Sequence, residues 1–142
     1  MARVRIEFPE TVLFHHDLEV RVNDLNYGNH LGHDSMVSLV HEARARFFRS
    51  LGGSELDLDG VATMIVDLAV QYLAEVRYGQ TLRIEVAPGD VGSRGCELLY
   101  RVTDRDTGAV AGVAKTGLVF VDLSERALKP VPGSLRRMVT DE

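Results

Sequence analysis

A chain of 142 residues, 45% apolar and 26% charged, has the make-up of a single folded domain, with enough core to need no staples. Its net charge of −5, with 16 scattered basic residues and no block longer than Arg136-Arg137, argues against nucleic acid or an anionic membrane as partner. Cys96 is the only cysteine, so an intrachain disulfide is excluded, which fits a reducing cytoplasm.

Ala2 to Pro9 alternates charged and apolar residues without a long apolar core, unlike a signal peptide. About Phe14 to Val22, Leu18, Val20 and Val22 alternate with Glu19 and Arg21, which predicts a half-buried strand. The polar, glycine-punctuated stretch Asp24 to Asp34 follows. From about Asp34 to Leu51, Met36, Leu39, Val40, Ala43, Phe47 and Leu51 recur at three- and four-residue spacings and predict one amphipathic helix. Asp34 or Ser35 suits its N-cap, and Gly52-Gly53 its stop.

After the loop Ser54 to Gly60 come four strand patterns: Val61 to Glu75, Thr81 to Ala87, Gly95 to Asp104 and Ala109 to Asp122. The run Val61 to Val70 is interrupted by Asp67 and too short to span a bilayer. Ala109 to Asp122 is apolar with small residues and reads as a central strand covered on both faces. Pro88-Gly89-Asp90 and Asp106-Thr107-Gly108 read as the turns of an antiparallel meander. Ser134 to Val139 reads as a last helical turn. One strand, one long helix and four strands make an α+β layout over residues 1–142 as one domain. A single helix covers only part of a five-stranded sheet, so a second subunit is expected on the remainder.

Several segments carry a resemblance. They are Val20-Arg21-Val22-Asn23-Asp24-Leu25-Asn26, then His30, then His41-Glu42-Ala43-Arg44 in the helix, and Tyr72 to Gln80 leading into the third strand. Together, over about Val12 to Val131, they resemble the hotdog-fold acyl-CoA thioesterases, in particular the hydroxybenzoyl-CoA thioesterase branch and its relatives acting on acyl-carrier-protein esters. The resemblance implies a curved five-stranded antiparallel sheet wrapped around one long central helix. It implies hydrolysis of a coenzyme A or acyl-carrier thioester, with no further cofactor, by a homodimer or homotetramer. In the hydroxybenzoyl-CoA branch the second acid of an Asp-x-Asp pair is the usual catalytic carboxylate, and here Asn26 stands at that position. An amide cannot serve as a carboxylate base, but it can hydrogen-bond a thioester or orient a water. Some plant acyl-carrier-protein thioesterases resemble this loop in its Asp-Leu start and its His, and use an Asn-and-His chemistry.

Thioester hydrolysis needs a base or nucleophile, donors for the developing oxyanion, and a slot for the acyl group. Backbone N–H groups around Gly28 to His30 and Gly32 to Asp34, at a helix start, are the expected donors. Glycine at 28 and 32 admits a bulky thioester close to the backbone, or serves the turn alone. Asn26 is a candidate for substrate positioning, or an Asx-turn residue. His30 is a candidate base, or a locally bonded loop histidine. Asp24, Tyr27 and Asn29 complete the substrate-facing set, with Asp24 also suited to tying the loop. Glu42 is the remaining acid in the helix, either a group that faces a partner subunit's cleft and activates water, or the exposed i,i+4 partner of Arg46. Asp67 faces solvent or a subunit junction.

His30, His33 and Asp34 lack the spacing of a metal site, and none is expected. Cys96 reads as a small core residue rather than a nucleophile. Tyr27, Tyr72 and Tyr78 are walls for an acyl group or core residues. Two other functions fit the same residues: a hydratase or dehydratase acting on hydroxyacyl or enoyl thioesters, and a non-catalytic acyl-thioester binder.

Overall fold

The structure, a computed structural model, describes residues 1–140; Asp141 and Glu142 of the expected 1–142 domain lie outside the described residues. The elements run β1 (Phe14–Glu19), a 3-10 turn (Val22–Asp24), α1 (His33–Ser50), β2 (Ala62–Tyr72), β3 (Thr81–Val91), β4 (Gly95–Asp104), β5 (Val110–Asp122), β6 (Ala127–Lys129) and α2 (Gly133–Thr140). The antiparallel sheet has the order β1-β3-β4-β5-β2, and β6 pairs with the end of β5. This is the hotdog arrangement, with α1 against the inner face of the sheet.

The sheet has six strands rather than the five read from the sequence. Three residues, Ala127–Lys129, are too few for a periodicity to announce β6; it forms because the hairpin after Asp122 folds back onto β5. Strand β1 stops at Glu19, short of the expected Val22, because the Asp24 carboxylate accepts the Arg21 N–H at 2.8 Å and the chain winds into the 3-10 turn. Pro88-Gly89-Asp90 does not turn. It lies inside β3, where Pro88 faces Leu98 and the register slips before Val91 meets Cys96. Proline has no N–H for the ladder, so it is tolerated at such an irregularity. The hairpin closes instead over Ser93-Arg94, with the Gly92 N–H on the Gly95 carbonyl at 2.8 Å. Asp106-Thr107-Gly108 does turn, with φ +81° at Gly108.

The apolar stripe of α1 buries Met36, Leu39, Val40, Ala43, Phe47 and Phe48. Phe47 and Phe48 meet edge to face, with centroids 6.0 Å apart. Facing them are Leu82, Ile84, Val86, Leu98, Tyr100, Leu118 and Phe120, all 0–1% exposed. Helix α2 adds Leu135 and Val139 to the same core, so part of the sheet left by α1 is covered from within the chain. The outer face carries ion pairs Arg83–Asp17, Arg101–Glu85 and Lys115–Glu97. The N-terminal segment crosses it, laying the Phe8 ring 4.4 Å from the Arg101 guanidinium.

Two features of this order position the candidate site. Strand β5 lies between β4 and β2, as its small apolar residues lead one to expect, and β2 is an edge. Consecutive strands β2 and β3 therefore lie on opposite sides of the sheet's middle, and residues 73–80 must cross between them. That crossover passes the start of α1, where the Val76 carbonyl accepts the Leu31 N–H at 2.7 Å.

Candidate active site

The loop before α1 is a miniature hairpin built around Asn26. Leu25 and Leu31 form an antiparallel bridge, and the Asn26 N–H meets the His30 carbonyl at 2.8 Å. Asn26 to Asn29 is a tight turn closed by the Asn29 N–H on the Asn26 carbonyl at 3.0 Å, with Asn29 left-handed at φ 66°. The Asn26 side-chain Oδ1 accepts the N–H of Gly28 at 2.9 Å and that of His30 at 3.4 Å. Asn26 is therefore the Asx-turn residue that the sequence allows. Its Nδ2 has no acceptor among the described residues and is left for another partner.

Gly28 packs beside the His30 ring. A Cβ at Gly28 would stand 3.3 Å from Nε2 and Cε1 of His30 and 3.3 Å from Asn26 Oδ1, so its lack of a side chain serves the approach of the imidazole as much as the turn. His30 is 29% exposed, and its Nε2 lies 3.3 Å from Oε2 of Glu75 on the β2–β3 crossover. The sequence places Glu75 at the end of a strand pattern and gives it no role at the site. Nothing in the spacing between 30 and 75 signals the contact, and only the crossover makes it.

The donors differ from those expected. The N–H groups of Gly28, Asn29 and His30 are consumed inside the hairpin, and that of Gly32 bonds the Asp24 carbonyl at 3.0 Å. The Ser35 N–H goes to Asp34 Oδ1 at 2.9 Å. Among the described residues the N–H groups of His33 and Asp34 have no acceptor. They belong to the first turn of α1, where no intrahelical partner exists and the helix dipole is positive.

A cavity of about 390 Å³ opens here, lined by Asn26, His30, Leu31, His33, Met36, Tyr72 and residues 73–76. Tyr72 donates to the His33 carbonyl at 2.7 Å and fixes the first helical turn against β2. Burial and the nearby Asp34 raise its phenol above the ordinary tyrosine range, which keeps it a donor.

The remaining candidates fall elsewhere. Asp24 is 6% exposed and its carboxylate is spent on Arg21. It borders a second cavity of about 610 Å³ between β1 and α1. Glu42 lines that second cavity too, and pairs with Arg46 at 2.8 Å, which holds its carboxyl below the usual range. The chain therefore does not bring Glu42 to Asn26 and His30. Tyr27 projects fully into solvent at the turn apex and Tyr78 is largely exposed, so of the three tyrosines only Tyr72 is a cavity wall. Asn29 and Gly32 shape the turn and the helix start without lining the cavity.

Asp67 lies on the outer face beyond a bulge at Val66. Burial pushes the Cys96 thiol up to about 11, far from a nucleophile at neutral pH. Among the described residues no group of three or more His, Cys, Asp or Glu side chains is arranged to hold a metal ion. Among them also, no helix is long and apolar enough to cross a membrane.

The thioesterase-like superfamily matches residues 20–139. A Synechocystis protein named "Putative esterase" is 28% identical over 120 residues, which are 80% of this chain and 72% of that protein. A 1,4-dihydroxy-2-naphthoyl-CoA thioesterase from Synechocystis superposes with a TM-score of 0.81 at 18% identity, covering 90% of this chain and 96% of its own. A Staphylococcus aureus protein solved in complex with CoA superposes at 0.78 and 16% identity, covering 95% and 85%. At these identities the two structures establish likeness of fold.

Proposed function

The chain belongs to the thioesterase-like superfamily, and from that premise we propose that it hydrolyses an acyl-CoA thioester to the free acid and the thiol. The observation that carries this is the cavity at the α1 N-terminus. One polar wall holds Asn26, His30 and His33, whose N–H has no acceptor among the described residues, and the other wall is apolar, from Leu31, Met36, Tyr72, Leu73 and Val76. The acyl group takes the apolar wall. The thioester carbonyl lies toward the helix N-terminus, where the dipole and the free N–H groups stabilise its developing negative charge. His30 takes the proton of the attacking water, and Asn26 Nδ2 orients the water or the carbonyl. Water is the only co-reactant, so no cofactor is called for. That one relative acts on a naphthoyl-CoA and another was solved with CoA supports a coenzyme A ester as the substrate class.

The working unit is a homodimer in this reading. Edge strand β2 leaves Met64, Ile65, Val66, Leu68 and Tyr72 39–58% exposed, along a backbone edge unpaired among the described residues. A second copy offers the same strand in the antiparallel sense, which pairs the edge and covers its apolar side chains at once.

The test is thiol release from acetyl-, octanoyl- and benzoyl-CoA by the wild type and by Asn26→Ala, His30→Ala and Glu42→Ala. His30→Ala is expected to lower kcat by roughly a hundredfold or more, Asn26→Ala by less, and Glu42→Ala to leave release unchanged. Binding of the esters without release refutes hydrolysis in favour of a binder. Loss in Glu42→Ala alone moves the base to the helix. The His30–Glu75 pair is also what a hydratase would use, and consumption of crotonyl-CoA without free thiol would select that reading.

A further inference from the structure

The crossover between β2 and β3 has no reason of its own to bring an acid to the site, yet it sets Glu75 Oε2 at 3.3 Å from His30 Nε2. Three features set the segments that carry both partners. The His30 amide is tied to Asn26 Oδ1, the next residue's N–H is bonded to the Val76 carbonyl beside Glu75, and Gly28 leaves room for the ring edge that faces the carboxylate. The other carboxylate oxygen of Glu75, Oε1, accepts from the Arg77 guanidinium at 3.3 Å, so the two oxygens have separate duties. The second ring nitrogen of His30, Nδ1, has no partner among the described residues.

We propose that Glu75 is the positioning residue of the site: its carboxylate, at ion-pair distance from Nε2, favours the tautomer with the proton on Nε2 and holds the imidazole so that the bare Nδ1 serves as the base. This rests on the hydrolytic reading above. In the step it serves, the water oxygen bonds to the thioester carbon while its proton passes to Nδ1, leaving a tetrahedral oxyanion at the helix N-terminus. Collapse of that intermediate breaks the C–S bond, and the proton on Nδ1 passes to the departing thiolate. Glu75 keeps its charge throughout and steadies the imidazolium that forms between the two proton transfers. Arg77 biases the carboxylate toward this arrangement only weakly, since both side chains of that pair are 63% exposed.

Two measurements on the full chain test this. In the first, kcat and KM for thiol release are compared for wild type, Glu75→Ala, His30→Ala and the double variant. Glu75→Ala is expected to lower kcat roughly ten- to a hundredfold with KM within about twofold, and to have no further effect in the His30→Ala background. A kcat within about twofold of wild type overturns the proposal, as do losses that multiply in the double variant, since a merely structural residue behaves in that way. In the second, the imidazole 15N shifts of His30 are recorded without substrate in the wild type and in Glu75→Ala. They are expected to move when the carboxylate is removed, and identical shifts overturn the proposal whatever the kinetics. A wild type that releases no thiol while the shifts still move separates failure of the hydrolytic reading from failure of the Glu75–His30 contact.

Discussion

Removing the Glu55 carboxylate is the sharpest probe of how this fold holds the helix that carries the site. Arg44, on the buried side of α1, has a side chain only 7% exposed. Its Nε donates to Glu55 Oε2 at 2.8 Å, and its NH1 reaches the Tyr100 hydroxyl at 3.5 Å. Tyr100 is fully buried and bonds Thr116 at 2.7 Å, while Glu55 Oε1 lies 2.7 Å from His41 on the helix surface. In Glu55→Ala the guanidinium stays buried with one long hydrogen bond to a neutral hydroxyl.

Losing one partner of a buried pair costs ~3–5 kcal/mol, and because Glu55 is itself 22% exposed the lower end applies, so ~3 kcal/mol is expected. The His41 contact, 58% exposed, adds ~0.5 kcal/mol or less. For 142 residues the unfolding entropy near 60 °C is ~0.3 kcal/mol per degree, which converts ~3 kcal/mol to a fall of ~10 °C in Tm. The main-chain bond from Thr63 N–H to the Glu55 carbonyl survives the substitution and does not contribute. Calorimetry and urea titration at one fixed protein concentration read the effect, because oligomerisation makes Tm concentration-dependent. Arg44→Met, which removes the buried charge along with its need for a partner, is expected to cost less than Glu55→Ala. A loss below ~1 kcal/mol for Glu55→Ala, the value of an exposed pair, refutes the reasoning, and so does a larger loss for Arg44→Met.

Other outcomes follow from single features. Gly95→Ala would set a Cβ 2.6 Å from the Leu118 carbonyl oxygen, within a paired ladder that cannot yield, and is expected to cost ~1–3 kcal/mol in urea unfolding. Asp17, Asp59, Asp104 and Asp122 are held below the ordinary carboxylate range, Asp17 chiefly by Arg83, Asp59 by Ser134, and the last two chiefly by turn N–H groups. A depressed folded value means that their contribution is complete above the unfolded carboxylate value near pH 4 and is lost as pH falls below it. Acid titration of stability should therefore be flat in this respect from neutral pH to about pH 4 and fall beneath that. Cys96 should resist a thiol reagent at pH 8 in the native protein and react at the rate of unfolding, and rapid native labelling would contradict its burial. Leu68→Glu on β2 should give a folded monomer by light scattering if the edge pairs with a second copy, and an unchanged dimer would place the interface elsewhere.

The sequence alone determined what depends on neighbours along the chain. Apolar spacing located α1 to within a residue at each end, and alternation gave β4 its full extent, because both periods are local properties of backbone geometry. The polar loop was legible for the same reason. An Asn followed by glycine two residues later and flanked by apolar residues closes its own turn, as Asn26 and Gly28 do.

Tertiary structure decided everything that depends on which strands become neighbours. The strand order β1-β3-β4-β5-β2 sends residues 73–80 across the start of α1, and so supplies Glu75 to His30 from 45 positions away. The same packing turned Glu42 toward Arg46 and a separate cavity, and consumed the loop N–H groups that the sequence had left free. Local pattern fixes the face a side chain takes on its own element, and only the packing of elements fixes what that face meets.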